Sequence, residues 1–171
     1  MGLAEKWAAV FRGEAPHEKA LGLYLGTAYD WSDMQFALAS GQALYRYKAV
    51  GPDNAPDALG VRFEGNLGTA VGTEFSGARL VASGNFLAVY DLPAYGTPKF
   101  IPYVEGGVGL IYTDFQRKRQ GLRLNFNPVA GVGVRMGSTF LTLRLHHISN
   151  GGLHHENRGL NSVVLGFGKY L

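Results

Sequence analysis

Apolar residues alternate with polar or small residues along almost the whole chain from Lys19 onward. This period of two is typical of β-strands, in which successive side chains point to opposite faces of a sheet. It predicts eight strands, six of them near residues 19–29, 34–48, 58–72, 79–92, 99–114 and 121–136, and two more on either side of a loop at 150–160. Turn-forming segments such as GPDNAPD at 51–57 separate them.

Each strand carries two rows of side chains, one on each face, and the residue types in these rows decide between two kinds of barrel. With no helix between the strands, an antiparallel meander is expected, because parallel pairing needs long crossovers. One row is large and apolar, whereas the other is rich in Gly and Ser and carries Arg62, Glu64, Glu105, Arg123, Arg135 and Arg144. A narrow interior suits the second row and lipid suits the first, so an eight-stranded antiparallel transmembrane β-barrel is predicted. A soluble lipocalin-like barrel with the rows reversed is the alternative.

Aromatic residues near the strand ends agree with the membrane interpretation. Transmembrane barrels carry aromatic girdles at the two membrane–water interfaces. The residues expected to form them are Tyr29, Tyr90, Tyr112 and Tyr170.

The first 17 residues follow a different pattern. Leu3, Trp7 and Val10 recur at helical spacing, and Gly13 and Pro16 end the repeat. The pattern predicts a short amphipathic helix that lies in the membrane interface or plugs the barrel mouth. A partly ordered terminus is the alternative. We therefore divide the chain into an N-terminal segment, 1–17, and a barrel, 18–171.

Composition narrows the chemistry. The chain has 171 residues, a net charge of +3 and no cysteine, which excludes disulfides and cysteine metal sites. Its basic residues are scattered apart from a run at 117–119, which indicates a solvated loop or a contact with anionic lipid headgroups. Nucleic acid is not an expected partner, because aromatic residues are not interleaved with that run.

The seventh strand carries two polar residues on its apolar row. The row of Leu141, Leu143 and Leu145 continues into His147 and Ser149. Because these residues are two positions apart on one face of the strand, their Cβ atoms are about 6–7 Å apart. A histidine at that distance can act as the base that activates a serine nucleophile. Polar groups on a lipid-facing row cost stability, which favours a chemical role for them.

A serine–histidine pair needs further groups to work as a hydrolase. The apolar row of the eighth strand begins at Asn161, which can hold the imidazole in one tautomer. Glu156 in the intervening loop is the competing third member. Oxyanion donors are expected from the glycine-rich segment at 151–152 or from the Asn157 amide.

The remaining histidines have simpler interpretations. His146 falls on the inner row and is expected to be a packed polar residue, while His154 and His155 are expected on the loop surface. A metal site at two adjacent histidines lacks ligands. We predict no metal and no cofactor.

The segment HISNGG, followed by NRGLN, resembles the signature of the PagL family of outer-membrane lipid A 3-O-deacylases. The resemblance implies an eight-stranded barrel with a serine–histidine–acid site on its exterior. His147 would be the base and Ser149 the nucleophile, with supporting roles for Asn150, Gly152 and Asn157. The chain departs from the family pattern at Asn161, where glutamate is expected, so Asn161 and Glu156 both remain candidates. Asn161→Glu is expected to keep or raise activity.

The expected function is that of an outer-membrane serine esterase that hydrolyses an ester-linked 3-hydroxyacyl chain of lipid A. Its partners would be lipid A or lipopolysaccharide and the lipids of a Gram-negative outer membrane. Both termini would be periplasmic, so the loop at 150–160 would be extracellular and the site would lie near the outer leaflet. Monomer and homodimer both remain open. The alternative function is a non-catalytic outer-membrane barrel with a structural or binding role.

Overall fold

The computed structural model describes residues 2–14, 16–30, 32–115 and 120–171, and these form one closed antiparallel sheet with short helices. The strands are β1 (Glu18–Ala28), β2 (Gln35–Arg46), β3 (Leu59–Val71), β4 (Arg79–Asp91), β5 (Phe100–Thr113), β6 (Leu124–Phe126), β7 (Val129–Met136), β8 (Thr139–Ile148) and β9 (Leu160–Tyr170). The helices are α1 (Leu3–Phe11) and α2 (Tyr47–Val50), with a 3₁₀ turn at Pro93–Tyr95. Pairing of β1 with β9 closes the barrel.

Strands β6 and β7 together form one barrel strand. Both pair with β5 in the same register, since Leu110 faces Phe126 and Gly107 faces Val129. The ladder is interrupted at Pro128, which has no N–H to donate. The predicted eight-stranded antiparallel barrel is therefore confirmed, with its sixth strand in two pieces.

The outer wall is apolar and the interior holds a neutral cluster of buried charges. On β8, Leu141, Leu143 and Leu145 are 40–55% exposed on the outer row. Inside, the inner charge cluster consists of Arg62, Glu64, Glu105 and Arg144, each at most 5% exposed. These rows are those of a transmembrane barrel, because a soluble barrel would have them reversed.

The charged groups of the inner charge cluster form ion pairs with one another. Arg144 donates to both oxygens of Glu64 at 2.9 Å, and its Nε donates to Glu105 at 2.6 Å. Arg62, the fourth member of the cluster, forms an ion pair with Glu105. Because two guanidinium groups face two carboxylates with hydrogen bonds between them, the charges are tolerated in the interior.

The other two arginines predicted to face the interior lie outside the inner charge cluster, and one of them, Arg135, faces the interior as predicted. Arg135 is partly buried near the other end of the barrel, where it pairs with Glu18 at 2.6 Å and with Asp91 at 3.4 Å. The prediction for Arg123 is wrong, because this residue is exposed and precedes β6. The alternation rule no longer applies there, since the paired strand begins only at Leu124.

The aromatic residues follow the row on which they lie. Tyr29, Tyr90 and Tyr112 are exposed on the outside. Tyr170 does not belong to a girdle, because it lies on the inner row of β9 and its ring is 5.6 Å from that of Phe140. Its position near a strand end was a poorer guide than its parity.

The predicted N-terminal helix is present and lies against the outer wall rather than in the barrel mouth. The Trp7 ring lies 6.2 Å from that of Phe63 and 6.1 Å from that of Phe86. Lys6 Nζ donates to the backbone oxygens of Lys48 and Gly51. Among the described residues, no helix is long and apolar enough to cross a bilayer. The basic run Arg117–Lys118–Arg119 lies outside the described residues.

Candidate active site

His147 and Asn161 meet on the outer wall, at the barrel end opposite the two termini. They face each other across the antiparallel ladder of β8 and β9. The distance between His147 Nδ1 and Asn161 Oδ1 is 2.7 Å. An amide oxygen only accepts hydrogen bonds, so Nδ1 carries the proton in this contact, and in the neutral imidazole Nε2 keeps its lone pair. An imidazole held in this way is ready to act as a base.

Ser149 follows on the same row, just beyond the end of β8. Its backbone is fixed by two hydrogen bonds with Phe126, from Ser149 N to Phe126 O at 3.1 Å and from Phe126 N to Ser149 O at 2.7 Å. The side chain is partly exposed. Within the described part of the chain, no hydrogen bond joins Ser149 Oγ to His147. Such bonds are often long in enzymes without substrate and shorten when it binds.

Asn150 organises the loop that follows. It is fully buried, and its Nδ2 donates to Gln120 O at 2.9 Å and to Glu156 O at 2.7 Å. Its Oδ1 accepts from Gly152 N at 2.9 Å. Gly151 and Gly152 have φ of 65° and 85°, a conformation that glycine adopts without strain. The Asn150 side chain thus makes three hydrogen bonds that help to hold the loop in one shape.

The predicted supporting residues Asn150, Gly152 and Asn157 belong to one network. Asn157 Oδ1 accepts from Asn150 N at 2.8 Å. The backbone N–H groups of Asn150 and Gly152 are therefore both engaged within the loop. Asn157 Nδ2 has no partner among the described residues, so it is the member of this network that can donate to a bound group.

Glu156 makes only backbone contacts in this network. Its N donates to His154 Nδ1 at 3.1 Å, and its exposed carboxylate makes no hydrogen bond to His147 in the part of the chain that is described. The rings of His154 and His155 lie 4.2 Å apart. No group of three or more histidine or acidic side chains with metal-binding geometry occurs among the described residues.

Asp30 is the residue of this site that the sequence did not reveal. Its Oδ2 accepts from the backbone N of Asn161 at 2.8 Å and from Asn161 Nδ2 at 3.3 Å. The two residues are 131 positions apart and meet because β1 pairs with β9, with Ala28 opposite Ser162. The only sequence signal was an acidic residue immediately beyond the end of the first strand.

A shallow apolar depression adjoins the histidine on the outer wall. Tyr29, Pro128, Ala130 and Leu145 line it together with His147 and Asn161. It continues along the barrel past Ala130 and Leu145 to a second depression lined by Val132, Leu143 and Val163. An extended apolar chain could lie there beside the polar groups.

Comparison with known families identifies the family to which the chain belongs. The family model described as lipid A 3-O-deacylase (PagL) matches residues 80–170, more than half of the sequence. The chain belongs to the PagL family. The matched region includes His147, Ser149 and Asn161. It begins at residue 80 and therefore does not include Asp30. The resemblance seen in the sequence is thereby confirmed. A search of curated proteins gives no match.

Solved structures agree on the fold of this PagL family member. The crystal structure of the outer membrane enzyme PagL superposes with a TM-score of 0.62 at 17% identity, covering 88% of this chain and 98% of that one. Neisserial surface protein A gives 0.55 at 11% identity over 89% and 94% of the two chains. A de novo designed transmembrane β-barrel gives 0.50 at 14% identity over 92% and 98%. These neighbours identify the fold as that of outer-membrane β-barrels.

Proposed function

We propose that this protein is an outer-membrane serine esterase that hydrolyses an ester-linked 3-hydroxyacyl chain of lipid A. The observation that carries the proposal is the 2.7 Å contact between His147 Nδ1 and Asn161 Oδ1, on the lipid-facing row that also holds Ser149. Membership of the lipid A 3-O-deacylase family supports the substrate class.

The proposed reaction uses side chains and water. Ser149 Oγ attacks the ester carbonyl carbon while His147 Nε2 takes the hydroxyl proton. The tetrahedral intermediate collapses, the bond to the sugar oxygen breaks, and the imidazolium returns the proton to that oxygen. A water molecule, deprotonated by His147, then attacks the acyl-enzyme carbonyl carbon. The bond to Ser149 Oγ breaks, the imidazolium returns the proton to that oxygen, and the 3-hydroxy acid is released. Asn161 keeps the ring in the required tautomer throughout.

Two further features support this reaction. Asn157 Nδ2 can donate to the oxyanion that forms on the carbonyl oxygen, a contact that stabilises the charged intermediate. The apolar depression past Ala130 and Leu145 is suited to hold the acyl chain that Ser149 takes over. The polar steps would then occur at the loop end and the alkyl chain would remain against the barrel wall.

The membrane orientation is part of the proposal. Both termini lie at the end of the barrel opposite the site, because the sheet contains an even number of spans. With the termini in the periplasm, His147 and Ser149 lie near the outer leaflet and the loop at 149–159 is extracellular. Lipid A, the lipid of that leaflet, would enter sideways from the membrane.

The chain offers a matched pair of serines for the test. Ser162 is fully buried inside the barrel, opposite His146 in the ladder, whereas Ser149 lies on the outer row. A fluorophosphonate probe should label the wild type and Ser162→Ala but not Ser149→Ala. Mass spectrometry of lipid A from cells expressing each variant should show deacylation only with the first two.

The result that contradicts the proposal is equally specific. Labelling of Ser149→Ala at the wild-type level, or more than about a tenth of the wild-type hydrolysis rate in that variant, would exclude Ser149 as the nucleophile. A wild-type protein that takes no label and leaves lipid A unchanged would favour the non-catalytic barrel.

A further inference from the structure

Asn161 is held from the side opposite His147 by two consecutive residues of the loop after β1. Tyr29 N donates to Asn161 O at 3.2 Å, and Asp30 Oδ2 accepts from Asn161 N at 2.8 Å and from Asn161 Nδ2 at 3.3 Å. The side chain of Asn161 therefore lies between a carboxylate and an imidazole. Both of its polar atoms are engaged, one with each neighbour.

We propose that Asp30 is a positioning residue that selects the tautomer of His147 through the Asn161 amide. This inference rests on the proposed function and adds to it a residue outside the region that the family model matches. It concerns how a neutral amide can serve where the family resemblance implies a glutamate.

The argument starts from the two ends of an amide. If Asn161 turned its side chain by 180°, its NH₂ group would face His147, and Nδ1 would have to accept. The proton would then reside on Nε2, and the ring could not accept the Ser149 proton there. An asparagine alone permits both arrangements, so it is a weaker orienting group than a carboxylate.

Asp30 removes this ambiguity because an ionised carboxylate only accepts hydrogen bonds. The NH₂ group of Asn161 must face Asp30, so its oxygen must face His147, and Nδ1 must carry the proton. A chain of hydrogen bonds of this kind is also polarised by its charged end, which strengthens the bond to the imidazole. Asp30 thereby supplies the negative charge that a glutamate at position 161 would have supplied, but from one residue further away from His147.

The nitrogen shifts of histidine distinguish the two tautomers directly. We would record them for the refolded protein with ¹⁵N-labelled histidine in detergent micelles, assigning His147 by its absence from the spectrum of His147→Ala. The wild type should show the Nδ1–H form alone, and Asp30→Leu should show a mixture. Hydrolysis should fall in Asp30→Leu by about tenfold to a hundredfold, by analogy with the loss seen when the partners that orient metal-bound histidines are removed.

Asp33 provides a matched control in the same loop. Its carboxylate accepts from Thr73 N at 3.0 and 3.1 Å and has no hydrogen bond with Asn161. Asp33→Leu removes the same charge, and it should leave both the tautomer and the rate of hydrolysis unchanged. An equal response of the two variants would contradict a specific role for Asp30.

A second background tests whether Asp30 acts through Asn161. In Asn161→Ala, adding Asp30→Leu should cause no further loss of rate, whereas two independent losses would multiply. A single Nδ1–H tautomer in Asp30→Leu would overturn the inference even if its rate fell. If Asp30→Leu does not assemble, Asp30→Asn is judged by the same spectrum. The tautomer is measured without turnover, so an inactive wild type would contradict the proposed function and leave this test standing.

Discussion

His146 and His147 are adjacent in the chain but lie on opposite faces of β8, in different surroundings. His146 is 7% exposed, faces the barrel interior and lies opposite Ser162 in the ladder. His147 is exposed on the outer wall opposite Asn161. Each face therefore presents a histidine close to a serine, and only the outer pair is accessible to a lipid.

The comparison shows what polar groups do on each side of the wall. Inside, Arg144 directs its donors to Glu64 and Glu105, so the buried charges of the inner charge cluster are paired with one another. Outside, the His147 contact with Asn161 engages only Nδ1 and leaves Nε2 for another group. A shift of one residue in register would exchange the two faces, so strand register determines which histidine can act.

The largest expected effect separates the two histidines. His147→Ala should lower lipid A hydrolysis by about a thousandfold or more, because a serine hydrolase without its base loses orders of magnitude in rate. His146→Ala should retain most of the wild-type rate, since this side chain does not reach the outer wall. The measurement is release of 3-hydroxy acid from purified lipid A. Comparable losses in both variants would mean that the inner face takes part in the reaction.

The next effect concerns stability rather than rate. Arg144→Met leaves Glu64 and Glu105 without their shared guanidinium partner, and breaking a buried ion pair in this way costs about 3–5 kcal/mol. The midpoint of urea unfolding in micelles should fall, while hydrolysis per folded molecule should stay near the wild-type value. Arg123→Met is the control, because Arg123 is exposed outside the cluster. An unchanged midpoint in Arg144→Met would show that the inner charge cluster contributes little to stability.

The alternation of the sequence was sufficient to predict the barrel and the face on which most side chains lie. It placed Arg144 inside and His147 outside, since parity within a paired strand leaves no other choice. It failed at Arg123, which lies beyond the paired part of β6, and at Tyr170, which was assigned by its nearness to a strand end instead of by parity. Periodicity is informative only where a ladder exists.

The candidate site was likewise predictable only where paired strands bring its residues together. His147 and Asn161 face each other on strands that follow one another in sequence, so their contact could be inferred from the rows of those strands. Asp30 reaches Asn161 only because β1 closes the barrel against β9, a contact across 131 positions. The hydrogen bonds of Asn150 depend on the shape of an irregular loop, which has no period to read.

The smallest expected effect bears on position 161 and on how far the outer site can be improved. The family resemblance implies that Asn161→Glu keeps or raises activity, since a carboxylate would stabilise the imidazolium directly. Asp30 changes this expectation, because its carboxylate contacts Asn161, and a glutamate there would place two like charges side by side. The single substitution should therefore gain little or nothing in rate.

Removing the charge of Asp30 from the Asn161→Glu variant should reveal the gain in hydrolysis rate that the glutamate brings. Asn161→Glu combined with Asp30→Asn should hydrolyse lipid A roughly fivefold faster than Asn161→Glu alone, equivalent to about 1 kcal/mol between close charges at the surface. Asn161→Glu combined with Asp33→Asn is the control, and it should match the single variant, because Asp33 has no hydrogen bond with Asn161. The decisive quantity is the ratio of initial rates at low salt, which should shrink as salt screens the repulsion. If Asn161→Glu alone exceeded the wild type and gained nothing from Asp30→Asn, the carboxylate of Asp30 would have no influence on the group that holds His147. The asparagine would then be a replaceable spacer rather than one half of a pair with Asp30.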